Sequence, residues 1–246
     1  MSTEINADTF ETDLVRDLEI DISCAKVRFQ GTSDDKIRVI AENLTEGRYN
    51  CRRNGNRLTV SYRCPRLALF PRLNYATPEI TLYLPANFVL DHVKLDVGAG
   101  KIFMEEIPFS CKNMFAQLGA GQWHARQLSV SDSLRIETGA GNVRLEKTVV
   151  NDFLLGCGAG SCSFEGRIER NMKISCGVGN CRLLLENKPE DFDYDISCGL
   201  GKINVNGDRI NCSGSKRTAP TGHALGTAVL ECGIGTIELI SKGNPC

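Results

Sequence analysis

The chain has 246 residues, with 29 lysines and arginines against 30 aspartates and glutamates. That balance supplies no overall field to favour nucleic acid or an anionic membrane, and no apolar run approaches the roughly 18 to 20 residues that span a bilayer. The 24 glycines exceed ordinary usage while prolines number only 8, so glycine has a repeated structural task rather than marking a disordered tail.

Residues 1–17 carry Glu4, Asp8, Glu11, Asp13 and Asp17 and lack the basic start and apolar core of a signal peptide. They are expected to form a tail, and the chain to be cytoplasmic. Leu18, Ile20, Ile22, Cys24, Val27 and Phe29 then alternate with polar residues as two strands with one buried face. Ile37 to Ala41, Arg57 to Tyr62 and Ile80 to Leu84 read as further strands, and Asn54-Gly55 is a hairpin signal. Residues 18–90 are therefore expected to be a β-sheet region that caps one end of a stack built by the rest of the chain.

From residue 91 onward the chain repeats. Gly-x-Gly begins at Gly98, Gly119, Gly139, Gly158, Gly177, Gly199 and Gly233, at spacings of 21, 20, 19, 19, 22 and 34 residues. A near-constant period of this size marks a stacked solenoid, whose units are too small to bury their own apolar faces. Aligned on the glycines, Val93, Met114, Leu134, Phe153, Met172, Tyr194 and Ala228 make one apolar column. Leu95, Ala116, Ile136, Leu155, Ile174, Ile196 and Leu230 make the next, and Val97, Leu118, Thr138, Cys157, Cys176, Cys198 and Cys232 stand just before the corner. The residues between the glycines, Ala99, Ala120, Ala140, Ala159, Val178, Leu200 and Ile234, continue the alternation and are expected inward too. After the corner the inward columns begin at Ile102 and Met104 in the first unit. The expected fold is an all-β, single-chain β-solenoid of about seven Gly-x-Gly coils over residues 91–246, continuous with the cap. Asn206 to Thr227, rich in glycine and basic residues, is expected to be a loop insertion.

The segments LEIDISCAKVRF, ITLYLP, LDVGAGKIFM, IETGAGNVRL, ISCGVGNCRL and ISCGLGKINV resemble the bacterial putative-adhesin β-strand-repeat family, a domain of unknown function. The resemblance covers roughly Leu18 to Ile240. It implies a β-solenoid with an adhesive or scaffolding role, a cell-surface location as an alternative to the cytoplasm, and no catalytic residues.

Cys157-x4-Cys162 and Cys176-x4-Cys181 fall in equivalent columns of adjacent coils, where four thiols would face one another as zinc requires. Thiols are also ordinary small core residues, which is the expected reading here, with a metal site or disulfides as alternatives; most of the twelve cysteines are expected to be reduced and metal-free in a chain this long. Gly-x-Gly followed by a strand rather than a helix is a corner and not a phosphate cradle. His92, His124 and His223 read as surface or loop residues and Trp123 as core, while Phe103, Phe115 and His124 point outward, where coverage by the amino-terminal sheet is the expectation and a modest binding surface the alternative. The outward residues before the corners, Asp96, Gln117, Glu137, Gly156, Ser175, Ser197 and Glu231, place no two acids on successive coils. Carbohydrate hydrolysis uses such pairs. No residue is assigned as catalytic, cofactor-binding or metal-ligating, and no cofactor is expected. The expected function is a non-catalytic, adhesin-like interaction or scaffold protein that binds a protein or glycan. The alternatives are a polysaccharide-acting enzyme and a scaffold that self-associates through the solenoid ends.

Overall fold

The computed structural model describes residues 5–64, 77–211, 214–218 and 222–243. Their regular structure is strand apart from two single 3-10 turns, Thr12–Leu14 and Pro189–Asp191, and 22 strands join in one hydrogen-bonded sheet. The fold is all-β and solenoid-like. Strands that precede successive corners lie parallel on one another: Val89–Val97, Phe109–Leu118, Leu128–Thr138, the second half of Asn142–Cys157, and Met172–Cys176. The register runs Val93, Met114, Leu134, Phe153, Met172, so each column read from the sequence is a line of neighbours in space. The strands after the corners stack in the same way, aligning Ile102, Trp123, Val143, Cys162 and Cys181. All ten of these side chains are buried. Stacking is what stabilises them, because one coil of about 20 residues cannot offset its own backbone entropy.

The corner differs from its expected form in one respect. Ala99, Ala120, Ala140, Ala159, Val178, Leu200 and Ile234 are exposed, and the second glycine of each corner is the residue that faces the core. The residue that breaks the strand's alternation is thus the one between the glycines, not one after them. A Cβ on the second glycine would stand 2.0 Å from the Gly141 carbonyl oxygen at Gly160, and 2.2 Å from that of Gly160 at Gly179. No corner glycine has a positive φ. Backbone crowding between layers, not left-handed geometry, is therefore what excludes a side chain there.

A third, short segment joins successive coils as far as Ile168, and alignment on the glycines does not reveal it. Leu90, Cys111, Val130, Val150 and Ile168 form its buried column. The chain enters this segment through a tight turn, with left-handed backbone at Gln127 and Lys147. In the next layer Gly166 pairs with Thr148, the residue after Lys147, at φ +151, where a Cβ would lie 1.9 Å from the Thr148 carbonyl oxygen.

Order along the stack departs from order along the chain at both ends. Asp17–Ile22 and Lys26–Thr32 lie between the first glycine coil and the pair Arg57–Tyr62 and Glu79–Pro85. Gly226–Cys232 is inserted between Met172–Cys176 and Phe192–Cys198, and Thr236–Ser241 likewise between Asn180–Leu185 and Lys202–Val205.

Antiparallel strands then cover the ends. Tyr49–Asn54 pairs with Arg57–Tyr62 through the Asn54-Gly55 hairpin, and Asn6–Glu11 lies on Lys36–Glu42, which lies on Glu79–Pro85. The segment expected as a tail over 1–17 is accordingly strand from Asn6. At the other end Asp208–Asn211 and Ser215–Arg217 pair with Lys202–Val205 and Phe192–Cys198, so the insertion at 206–227 is in part a cap. The physical reason is shared: the terminal coil of a parallel stack would leave a row of unpaired N–H and C=O groups.

Cys24 and Cys64 form a disulfide with their Cα atoms 5.8 Å apart, tying the first strand pair to the cap, contrary to the expectation of reduced thiols for these two. Cys212 and Cys246 lie outside the described residues.

Candidate functional site

The outward residues two places before each corner form one line along the stack. In spatial order it runs Asp21, Asp96, Gln117, Glu137, Gly156, Ser175, Glu231, Ser197. From Asp96 to Ser197 this line is the floor of an open groove of about 910 Å³. Glu231 accepts from Lys173 Nζ at 2.9 Å and from Ser175 Oγ at 2.8 Å. Those two bonds, the lysine's first, hold its carboxyl below the usual carboxylate range. Glu137 is paired with Arg135. Gly156 leaves a gap in the floor, since the nearest atom to a Cβ there would be 3.9 Å away. The insertion of Glu231 between Ser175 and Ser197 keeps the seven outward residues free of neighbouring acids. Asp21, from the unit without glycines, does stand beside Asp96, and its carboxylate is engaged by Arg63.

Gly98, Gly119, Gly139, Gly158, Gly177 and Gly233 line the groove, and the exposed corner tips that follow them along the chain form a separate ridge. Four alanines lead to Val178, Ile234 and Leu200, which follow one another in space and are 64%, 64% and 69% exposed. Such a run of large aliphatics in water is the kind of surface that marks an interaction site. The alternation pattern places these residues in the core because alternation alone does not reveal where a corner breaks parity.

The three other candidate surface residues do not come together. Phe103 and His124 are neighbours on the strands after the corner, whereas Phe115 pairs with Lys94 and Arg135 on the strands before it. Arg28 from the amino-terminal sheet lies over the Phe103 ring at 5.3 Å and Arg135 over Phe115 at 5.6 Å. The His124 ring is held between Glu105, at Nδ1, and Glu146, 3.6 Å from Nε2. Phe115 lines a smaller groove of about 370 Å³ with His92 and Arg135. His92 and His223 are exposed, and Trp123 is core.

Four thiols meet inside the stack. The Sγ atoms of Cys157, Cys162 and Cys181 all lie within 4.8 Å of one another. Cys176, paired with Cys157 in the adjacent layer, donates its thiol to the Gly179 carbonyl at 3.0 Å. Contacts with Cys162 first, and with Cys176 and Cys181, lower the Cys157 thiol below its ordinary value, and the contact with Cys157 raises Cys176 to about 11. Cys162 and Cys181 are pushed up as well, by their bonds to Cys157. Among the described residues this is the cluster with the donor set for a metal ion.

No curated protein sequence matches the chain. Among solved structures it is similar to a putative adhesin from Bacteroides fragilis NCTC 9343, at 11% identity and a TM-score of 0.50, over 96% of this chain and 97% of that one. It is also similar to a putative cell adhesion protein from Clostridium sporogenes ATCC 15579, at 15% identity and a TM-score of 0.39, over 98% and 100%. A third, a putative adhesin from Parabacteroides distasonis ATCC 8503, aligns at 12% identity and a TM-score of 0.44, over 96% and 97%. The Toastrack DUF4097 family matches residues 15–183, well over half of the chain, from the strand pair without glycines to the fifth glycine corner. A stack of parallel strands turning at crowded glycines occupies that same span, and the chain belongs to the Toastrack family.

Proposed function

We propose that the protein is a non-catalytic, adhesin-like interaction module that presents the groove and its corner ridge to a protein or glycan partner. The observation that carries this reading is the ridge Val178, Ile234, Leu200, three large aliphatic side chains held in water by adjacent corners; Gly177 and Gly233, which precede two of them, line the groove. On this reading the seven Gly-x-Gly coils and the sheet of residues 18–90 act as one continuous body, whose rigidity pre-organises the surface and lowers the entropic cost of binding. The floor is unsuited to acid catalysis: a general acid needs a carboxyl raised toward neutrality, whereas Glu231 is shifted the other way by Lys173 and Ser175. The short, basic strand Ser215–Arg217 and the charged strand Asn6–Glu11 at the ends favour a side-on surface over end-to-end polymerisation. The Cys24–Cys64 disulfide and the adhesin names of similar structures support a location at the cell surface, since such bonds persist in oxidising compartments. The test is binding of the purified chain to protein and glycan panels, with turnover followed on the same polysaccharides. Retained binding that is weakened by charges on the ridge supports the reading, and turnover overturns it.

A further inference from the structure

Cysteine in the column just before the corner has a packing explanation. Thr138 occupies that column too, and its Oγ1 accepts from the Gly141 N–H at 3.1 Å. Cys176 likewise bonds within its own corner, to the Gly179 carbonyl. A small polar side chain at this position therefore latches the corner, and Cys157, Cys176 and Cys232 in successive layers follow the pattern. Cys162 and Cys181 have no such explanation. Their column, after the corner, is otherwise filled by larger apolar residues, Trp123 and Val143 on one side and Ile237 and Ile203 on the other. Thiols replace them in only these two layers, the layers whose pre-corner thiols are Cys157 and Cys176.

We propose that Cys157, Cys162, Cys181 and Cys176 bind a thiophilic d10 ion, Zn2+ or Cu+, which staples the Gly158 coil to the Gly177 coil. Tetrahedral zinc with Zn–S of about 2.3 Å places its sulfurs about 3.8 Å apart. Three of the Sγ atoms already lie within 4.8 Å of one another, so closing on an ion takes a contraction of about 1 Å, within reach of side-chain rotation. Cys176 becomes the fourth ligand when its thiol leaves the Gly179 carbonyl. Each coordinating thiol releases its proton to solvent as the metal–sulfur bond forms. All four cysteines are buried, which shields the thiolates from oxidants and makes the site a closed, structural one rather than one with a free coordination position. Thiolates select Zn2+ and Cu+ over the hard cations that prefer oxygen. The two ions differ in need: a three-thiolate site satisfies Cu+, whereas zinc takes all four.

The experiment uses the full chain produced in zinc- or copper-supplemented medium and purified under reductant without chelator. Elemental analysis is expected to give a stoichiometric ion per chain, released by titration with an organomercurial, and cobalt substitution is expected to give an intense thiolate-to-metal charge-transfer band. Cys162→Val and Cys181→Ile insert the residues that the adjacent layers carry, Val143 and Ile237, so these variants keep a packed core while losing the ion and the melting-temperature increment it confers. Cys176→Ser separates the metals, with zinc affinity falling at least tenfold and Cu+ retention unchanged. Metal-free protein whose melting temperature is unmoved by either ion overturns the proposal. So does peptide mapping that finds these four cysteines joined in disulfides.

Discussion

The backbone N–H of Gly233 donates to the Cys176 carbonyl at 2.8 Å, and the Gly199 N–H donates in turn to the Cys232 carbonyl at 2.8 Å. The last glycine corner of the chain is thus inserted between the two that precede it. Lys173, Val229 and Asp195 are consecutive neighbours across that insertion. Paired cysteines at Lys173→Cys and Val229→Cys are expected to cross-link, because adjacent strands lie about 4.8 Å apart. Lys173→Cys with Asp195→Cys, about twice as far, exceeds what a disulfide spans. Peptide mass mapping reads the difference, and the reverse pattern would restore stacking in chain order.

Two glycines of one coil separate crowding from composition. Gly160→Ala drives a Cβ to 2.0 Å from a backbone carbonyl that has no room to move, whereas Gly156→Ala meets nothing nearer than 3.9 Å. The first is expected to cost about 3 kcal/mol or more and the second less than about 0.5 kcal/mol. For a chain of this size that places the melting temperatures roughly 6 to 12 °C apart. Gly139→Val, whose Cβ would stand 2.9 Å from the Gly119 carbonyl, falls on the destabilised side. Equal melting temperatures for the two alanine variants would mean that crowding does not restrict the corner.

Charges on the ridge should affect binding and leave folding intact. Ile234→Asp and Leu200→Asp replace side chains that are more than three-fifths in water, so stability is expected to stay within about 0.5 kcal/mol. Affinity for any partner found by panel binding is expected to fall tenfold or more. A variant that binds normally would assign the partner to another face.

Lys173 and Ser175 lower the Glu231 carboxyl. A group depressed in the folded state contributes stability above its unfolded value, and that contribution is lost as pH falls through the folded value. Glu231 therefore helps in full from neutral pH down to the ordinary carboxylate range, and that help fades as pH falls from there through its lowered folded value. Because the pair is well exposed, the effect is small and is best read directly. Carboxyl-resolved NMR titration is expected to show the Glu231 midpoint moving up in Lys173→Ala. An unmoved midpoint would mean that the lysine is not its partner in solution.

The strands, their buried faces and the corners are legible in the residues because each rests on something local. Alternation with period 2 marks Val93, Leu95 and Val97 as one face, and a glycine recurring every coil marks a place where backbone meets backbone. The third segment, with Cys111, Val130 and Val150, escapes sequence reading because it is short and a bulge breaks its phase with the adjoining strand. The ridge is hidden for a related reason: a parity break on either side of Ala99 leaves the same pattern of letters, and only the bend at the corner turns Val178, Ile234 and Leu200 to water. The groove floor is more legible, since residues such as Asp96, Glu137 and Glu231 read as outward from the alternation alone. Stacking order is decided by tertiary structure alone. By its column alone Ile174 fits beside Ile196 or Leu230 equally well, because equivalent positions of a repeat are interchangeable partners; the structure puts Leu230 there, between Ile174 and Ile196. The antiparallel strands Asp208–Asn211 and Ser215–Arg217 cover the outer edge of the Gly199 coil, so the returning chain finds unpaired backbone groups only on its inner side.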